Sequence, residues 1–278
     1  MTVLLAIALL LQAPAPVSSN AEAQKAYEEG NAAYEKQEND KALAAYDRAI
    51  SLDAKNADFH RARGRALARL QRHGDAIDSC SKALELRPDD PAALIDRGHY
   101  YINLRKLDLA LPDLTKVEAM KKDDYGLFYH LALARYLTGD FAKAAATYEG
   151  CLRTAETADN RTSCQAWQLL ALIRAGRKAD AQKLLDSFTP DPTQKPSAYI
   201  DRLLLFKGVK TEDEVAKGME QKDPVQLPTI AYSIGIWHLL NGREPKAREY
   251  FEKAVAPPSQ QSAFGAVASS VELARMKR

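Results

Sequence analysis

The spacing of small and apolar residues between residues 57 and 90 constrains this chain more than any other feature. On either side of a turn at residues 72–74, such residues recur three or four positions apart. This spacing indicates two amphipathic helices, because strands alternate with a period of two. Pro88 ends the second helix, since it has no N–H to donate and clashes with the preceding turn. A single helix pair of this length cannot bury its apolar faces, so it requires neighbours.

The same pattern recurs at an interval of 34 residues. A shift of this size relates the glycines of the first helices, Gly30, Gly64 and Gly98. It also relates three sets of second-helix residues: Ala42, Ala76, Ala110 and Ala144; Tyr46, Cys80, Leu114 and Tyr148; Ala49, Ala83, Val117 and Cys151. This register of small and large residues resembles the tetratricopeptide repeat (TPR) over about residues 23–158. The resemblance implies an all-α fold, a TPR-like right-handed solenoid of helix–turn–helix repeats with a C-terminal capping helix.

The sequence departs from the family pattern at two positions of the repeat. The large aromatic residue near the start of each first helix is replaced by Ala26, His60 and Leu94, and only Phe128 fits. Pro88 is the only closing proline among the four units. Because four units keep one register, we still expect the repeat architecture.

The pattern predicts a division of the chain into a leader, a solenoid and a C-terminal part. A signal peptide is predicted at residues 1–19, with cleavage between 15 and 21. The solenoid is predicted at 20–188, with repeats near 23–56, 57–90, 91–124 and 125–158 and a degenerate unit at 160–188. Three prolines within 189–196 oppose helix formation and make this segment a candidate hinge. Residues 197–278 are predicted to hold a degenerate unit, a TPR-like repeat at 228–258 and the capping helix.

Residues 3–11 form an uninterrupted run of nine apolar residues. This run is too short to span a bilayer, which needs about 20 residues. It matches the apolar core of a secretory signal peptide, and small residues follow it. No lysine or arginine precedes it, so an uncleaved apolar tail is the alternative. On the first interpretation the protein resembles exported bacterial TPR proteins, is periplasmic or extracellular, and has no stable membrane insertion after signal cleavage.

The three cysteines are expected to differ in role. Cys80 occupies a core position, where a free cysteine acts as a small apolar residue. Cys151 and Cys164 have 12 residues between them and would close a short disulfide loop in an oxidising compartment. Two unpaired buried thiols are the alternative, because the sequence does not show how far apart the two residues lie.

Charge and motifs argue against several classes of function. The net charge of +2 does not predict a nucleic-acid partner. The five histidines, His60, His73, His99, His130 and His238, lack the spacing of metal ligands. The paired acids at residues 89–90 and 123–124 follow second helices and are interpreted as solvated loop residues. We therefore predict no catalytic residues, no metal site and no cofactor, and do not expect an enzyme.

The remaining candidate is a binding surface on the first helices, which line the concave groove of stacked helix pairs. The residues predicted to point into this groove are Tyr27, Asn31, Tyr34, Arg61, Arg65, Arg69, His99, Tyr129 and Tyr136. The three arginines are four residues apart and share one helix face. Such a row would hold carboxylates of an acidic peptide. The alternative is a solvated face partly neutralised by Asp58, Glu28 and Glu29.

Family members that clamp a chaperone's C-terminal carboxylate carry a lysine and an asparagine in the first repeat, an asparagine in the second, and a lysine and an arginine in the third. Only Asn31 matches this set; the other positions hold Tyr27, Ala62, Ala92 and Asp96. The sequence therefore does not predict this clamp.

These observations favour a non-catalytic scaffold or adaptor that binds a peptide or protein partner in the concave groove, and the arginine row would suit an acidic partner. A second hypothesis is a regulator or recruiter of a cell-envelope enzyme that acts through the C-terminal half, around Tyr232 and Trp237. A third is a helical enzyme or small-molecule receptor with its site at the break near residues 190–196.

Overall fold

The computed structural model describes residues 19–220 and 226–277, which form helices and turns without any strand. Residues 1–18, which hold almost all of the predicted signal peptide, lie outside the described residues. Within the described ranges, no helix is long and apolar enough to cross a membrane.

Consecutive helices pack against each other as pairs, and the pairs follow one another along the chain. The pairs are α1 Ser19–Glu35 with α2 Asn39–Leu52, α3 Ala57–Arg69 with α4 His73–Leu86, α5 Pro91–Asn103 with α6 Leu107–Ala119, α7 Tyr125–Thr138 with α8 Phe141–Thr154, α9 Ala158–Arg174 with α10 Lys178–Ser187, α11 Ala198–Lys207 with α12 Glu212–Ala216, and α13 Gln226–Leu240 with α14 Glu244–Val255. Two 3-10 turns, Lys217–Glu220 and Pro258–Gln260, and a final helix, α15 Phe264–Arg275, complete the described chain. The architecture is the all-α TPR-like solenoid that the spacing predicts.

The turn inside each of the first four pairs repeats in its backbone geometry. Gln37, Gln71 and Arg105 adopt φ values of 61–62°, and Gly139 takes the next position of the series with φ of 95°. These four residues are 34 apart, so the period of the sequence is also a period of the backbone. Glycine adopts this left-handed conformation without steric cost, which explains its presence at residue 139.

Residues just before the first helices also follow the repeat. Asn56, Asp90 and Asp124 lie 34 residues apart, and each side chain accepts a hydrogen bond from a backbone N–H in the first turn of the next helix. These residues are N-caps, which satisfy donors that have no partner inside the helix. The interpretation of Asp90 and Asp124 as merely solvated loop acids was therefore wrong.

The repeated glycines let the two helices of a pair approach closely. A Cβ atom at Gly30 would lie 2.5 Å from the ring of Tyr46, and one at Gly98 would lie 2.8 Å from Cγ of Leu114. Real Cβ atoms do not approach side chains so closely, so a larger residue would force the helices apart. The small and large positions of the sequence pattern are thus complementary partners in each pair.

Cys151 and Cys164 form a disulfide between α8 and α9, with their Cα atoms 6.0 Å apart. Cys80 is free and fully buried. The structure therefore corresponds to the bridged alternative, and Cys80 occupies the apolar core position that its register predicts.

One hydrophobic core extends on both sides of the proline-rich segment. Leu185 and Phe188 precede the segment, Ile200 and Leu203 follow it, and all four belong to the same buried cluster. Gln194 within the segment donates hydrogen bonds to Asp159 and Thr162 of α9. The break in helical structure therefore does not divide the hydrophobic core.

The final helix α15 packs on α13 and α14, as a capping helix does, and also reaches back to earlier repeats. Arg105 donates a 2.6 Å hydrogen bond to Ser270, and Arg275 donates a 2.7 Å bond to the backbone oxygen of Leu137. Arg174 of α9 forms an ion pair with Glu272. The C-terminal helix is thus held against the inner side of the third to fifth pairs.

Candidate binding groove

An open cavity of about 660 Å³ lies between the first three helix pairs and the C-terminal part of the chain. The N-terminal side of its lining includes Tyr34 of α1, Arg65 and Arg69 of α3, and His99 of α5. These are four of the nine residues that the sequence places in the groove. The cavity has the size of many small-ligand and peptide sites.

The arginine row is present, but its three members have different partners. Arg61 donates a 2.9 Å hydrogen bond from Nε to Asp96 of the next repeat. Burial opposes the charge of Arg61, but Asp96 more than compensates, so the pKa of Arg61 is raised. Burial also raises the pKa of Asp96, and Arg61 partly offsets this effect. Arg61 therefore stays charged, and Asp96 balances its charge within the protein.

Arg65 and Arg69 stack on one aromatic ring. Their guanidinium carbons lie 4.8 Å and 3.4 Å from the ring centroid of Tyr34, within the range of cation–π attraction. Arg69 also donates a 2.5 Å hydrogen bond to the backbone oxygen of Tyr34. Both side chains are exposed, and within the described part of the chain neither has a carboxylate within ion-pair distance. The groove therefore presents two cationic groups in fixed positions.

Two of the three acids predicted to neutralise this face, Asp58 and Glu29, pair with other arginines. Asp58 forms an ion pair with Arg87, and Glu29 forms one with Arg48. Asp96, which the sequence pattern did not connect with the row, is the true partner of Arg61. Its position 35 residues after Arg61, one repeat plus one residue, is a signal that could have found it.

Tyr27 and Asn31 contribute mainly to packing at the start of the solenoid. The Tyr27 ring lies 5.0 Å from that of Phe59 and 5.9 Å from that of Tyr46. Asn31 accepts a 2.9 Å hydrogen bond from the Tyr46 hydroxyl. Both residues are half-buried and absent from the lining of the cavity.

The prediction of Tyr136 as a groove residue was wrong, because its side chain is fully buried. Its hydroxyl shares a 2.8 Å hydrogen bond with that of Tyr232 in α13. Tyr129 is also buried, and its hydroxyl contacts Tyr199 and Trp167 at 3.1 Å. The C-terminal half covers the inner face of the fourth pair, so these two tyrosines belong to the core.

His99 stacks on His130 of α7, with ring centroids 4.3 Å apart. Phe264, at the start of α15, makes edge contacts with both rings at 5.5 Å and 5.8 Å. Burial, followed by the neighbouring His130, holds the pKa of His99 well below its usual value. Burial lowers the pKa of His130 to about 4, against opposing effects from a backbone hydrogen bond with Gly126 and from Asp124. His99, neutral in this stack, lies with Phe264 at one end of the groove.

Sequence reasoning missed the residues that the C-terminal half contributes. The lining includes Tyr199, Thr229 and the segment that contains Ser259, Gln260, Ser262, Ala263 and Phe264. These residues are 96 or more positions from the lining residues of α1, α3 and α5, and no repeat relates them to those helices. No pattern in the sequence predicts their approach.

The other hypotheses place a site at the break near residues 190–196 or around Tyr232 and Trp237. At the break, a second cavity of about 450 Å³ is lined by residues that include Lys195, Pro196 and Ser197. Tyr232 lies in the core, and Trp237 is partly buried beneath Arg243, whose guanidinium carbon is 4.1 Å from the indole ring. Among the described residues, no cluster of histidine, cysteine and acidic side chains could hold a metal ion.

A family model of the tetratricopeptide repeat matches residues 27–91 and 95–159. These residues are TPR repeats. Its N-terminal repeats are similar to Hsc70-interacting protein 1 of Drosophila melanogaster, with 37% identity over 92 residues. That match covers 33% of this chain and 24% of the relative, so the protein described here spans about a quarter of the relative's length.

Solved structures show the same fold. PilF of Pseudomonas aeruginosa aligns with a TM-score of 0.55 at 14% identity, covering 92% of this chain and 99% of PilF. YrrB, a TPR protein with an unusual peptide-binding site, aligns with a TM-score of 0.50 at 20% identity, covering 60% of this chain and 85% of YrrB. The likeness to PilF extends the TPR fold over almost the whole chain, including the C-terminal half.

Proposed function

We propose that this protein is a non-catalytic scaffold that binds an acidic segment of a protein partner in the open part of its groove. The observation that carries the proposal is the pair Arg65 and Arg69, which line the cavity and have no carboxylate within ion-pair distance among the described residues. Unpaired guanidinium groups bind carboxylates through paired N–H donors. An acidic segment would therefore find two oriented cations here.

The length of the open groove limits the segment that fits. Phe264 and the neighbouring C-terminal residues occupy the space beside His99, so the open part ends at the third repeat. A bound segment would lie along α1, α3 and α5 and turn outward at Phe264. The existence of a peptide-binding site in YrrB, which shares the fold, is consistent with this proposal.

Charge reversal tests the proposal directly. The wild-type protein would be used in a crosslinking pull-down from the native extract, and the captured partner measured by calorimetry. Arg65→Glu with Arg69→Glu should weaken binding by more than about 2 kcal/mol, or about 30-fold, because two attractive contacts become repulsive. Far-ultraviolet circular dichroism would verify that the variant is folded.

A matched control reverses two charges elsewhere. Lys41 and Lys82 are exposed residues of second helices, and each forms an ion pair with an acid three residues away. Lys41→Glu with Lys82→Glu should retain partner binding. If the groove variant binds as tightly as this control, the assignment of the groove is wrong.

We further propose that the protein is exported. The disulfide between Cys151 and Cys164 supports this localisation, because disulfides persist in oxidising compartments. The apolar run at residues 3–11 supports it independently. Amino-terminal sequencing of the cell fractions provides the test: a processed chain is expected outside the cytosol, whereas an intact Met1 in the cytosolic fraction would contradict export.

A further inference from the structure

The cavity contains more kinds of chemistry than an acidic segment would use. Its lining includes the guanidinium groups of Arg65 and Arg69, the carboxylate of Asp96, and the aromatic rings of Tyr100 and Phe264. These groups come from α3, α5 and the start of α15. At about 660 Å³, the cavity lies within the range of sites that enclose small organic molecules.

The cationic part is suited to a carboxylate. The guanidinium carbon of Arg69 lies 3.4 Å from the ring centroid of Tyr34, so the cation–π contact holds this cation at the edge of the cavity. An arginine has five N–H donors, and the described residues show one hydrogen bond from Arg69, to the backbone oxygen of Tyr34. Arg65 has none to a described residue, although its guanidinium also lies over Tyr34. Donors therefore remain on both arginines.

The anionic part is suited to an ammonium group. Asp96 uses its Oδ2 atom for the ion pair with Arg61. Its Oδ1 atom accepts no hydrogen bond from any described residue, and the side chain keeps 21% of its surface exposed. A carboxylate can accept about four hydrogen bonds, so Asp96 keeps free acceptor positions, although the charge of Arg65 acts on it as well as that of Arg61.

Two buried polar side chains in the lining, Asn103 and His73, each make one hydrogen bond and keep one polar atom without a partner among the described residues. Asn103 is 5% exposed and His73 is 8% exposed. The Oδ1 atom of Asn103 and the Nδ1 atom of His73 have no hydrogen-bond partner. Buried polar atoms without partners are uncommon in folded proteins, so these two atoms add hydrogen-bonding capacity to the lining of the cavity.

We propose that this cavity is a binding site for a small zwitterion with an apolar side chain, of the size of an amino acid or a dipeptide. Its carboxylate contacts Arg65 and Arg69, its ammonium group contacts Asp96, and its side chain packs against Tyr100 and Phe264. This inference goes beyond the proposed scaffold function, because the ligand is a free small molecule. Since both ligands use Arg65 and Arg69, a bound zwitterion would compete with the partner segment.

Calorimetry on the full chain tests the charge requirement. The probes are L-phenylalanine and the dipeptide Leu-Phe, compared with 3-phenylpropanoate, which lacks the ammonium group, and 2-phenylethylamine, which lacks the carboxylate. We expect a zwitterion to bind, and each analogue of L-phenylalanine to bind at least about tenfold more weakly than the amino acid. No heat from either zwitterion at millimolar concentration, or equal affinity for the analogues, would overturn the proposal.

Two sets of variants test which side chains bind the carboxylate and the ammonium group of the ligand. Arg65→Gln with Arg69→Gln should remove the advantage of L-phenylalanine over 2-phenylethylamine, whereas the control Arg48→Gln with Arg72→Gln should keep it. Asp96→Asn should remove the advantage over 3-phenylpropanoate. If Asp96→Asn does not fold, because Arg61 loses its partner, the comparison of analogues on the wild-type protein still decides the question. Retention of the carboxylate preference in the Arg65 and Arg69 variant would refute the assigned orientation.

The zwitterion site and the proposed scaffold function can be refuted independently. Partner capture without zwitterion binding would refute the small-molecule site and leave the scaffold proposal standing. Zwitterion binding without loss of partner capture in the Arg65→Glu, Arg69→Glu variant would refute the partner groove and support the small-molecule site.

Discussion

The hydroxyl groups of Tyr136 and Tyr232 share a hydrogen bond of 2.8 Å, although the two residues are 96 positions apart in the chain. Tyr136 belongs to the first helix of the fourth pair, and Tyr232 belongs to the first helix of the seventh. Both side chains are fully buried, with the Trp167 ring 5.5 Å from Tyr136 and 5.4 Å from Tyr232. This contact marks where the C-terminal half closes over the inner face of the solenoid.

Removal of either hydroxyl should destabilise the protein. Tyr136→Phe leaves the buried Tyr232 hydroxyl without this partner, so we expect the free energy of unfolding to fall by about 1–3 kcal/mol. Urea denaturation measures the change. Tyr101→Phe is the control, because the Tyr101 side chain is only partly buried and its hydroxyl bonds to no described residue. In the double variant with Tyr232→Phe, the loss should be smaller than the sum of the single losses; strict additivity would show that the two hydroxyls are not coupled.

The disulfide should stabilise the protein and should leave one reactive thiol in the unreduced chain. Cys151→Ser with Cys164→Ser removes a link that closes a short loop, for which a loss of about 3 kcal/mol is expected. Thiol titration of the unfolded, unreduced protein should give one reactive thiol, from Cys80. Three thiols before reduction would show that the bridge is absent.

Two glycine substitutions should have opposite effects. At Gly98, an added Cβ atom would lie 2.8 Å from Leu114, so Gly98→Ala should lower the free energy of unfolding by about 1–3 kcal/mol. At Gly74, in the first turn of α4, nothing lies within 4 Å of an added Cβ atom. Gly74→Ala should therefore be neutral or stabilise by up to about 1 kcal/mol, because alanine favours the helix. Thermal denaturation of both variants measures the contrast, and equal effects would contradict the close packing of the third pair.

The histidine pair should make stability fall in acid. Because the pKa of His130 is lowered to about 4 in the folded protein, the unfolded chain binds more protons between about pH 6.5 and 4. The stabilising contribution is therefore complete above the unfolded pKa and declines as the pH falls towards the folded value. From the size of this shift, His130 should account for a loss of about 3 kcal/mol over that interval.

A variant isolates this effect from the titration of carboxylates. His130→Phe keeps an aromatic ring beside His99 and Phe264 but cannot be protonated. The difference in unfolding free energy between wild type and variant, measured by urea denaturation at several pH values, should change between pH 6.5 and 4. A constant difference across this range would show that His130 does not titrate as described.

Much of the helical architecture could be predicted because its information is local. Three- and four-residue spacings define the helix faces, and the 34-residue interval places Gly98 against Leu114 as it places Gly30 against Tyr46. The same reasoning placed Arg65 and Arg69 on one face, and that face lines the cavity. The N-cap roles of Asp90 and Asp124 could also have been predicted from the sequence, since the two residues are separated by the same 34-residue interval.

The partners of these residues could not all be found in this way. Arg61 pairs with Asp96 in the next repeat, and not with the acids nearest in sequence, because stacking brings neighbouring first helices side by side. Tyr136 occupies a groove position by register but lies in the core. The difference arises from the weakly repetitive C-terminal half, whose apolar surface is buried against the fourth pair.

The sequence by itself determined the helix pairs, their order, their close-packed glycines and the cationic face of α3, since each depends on spacings within one or two repeats. Only the tertiary structure decided how much of the groove is open. That outcome depends on contacts between residues more than 90 positions apart, such as Tyr136 with Tyr232 and Arg105 with Ser270. Such contacts follow from burial of apolar surface and the pairing of polar groups over the whole chain, and no local period encodes them.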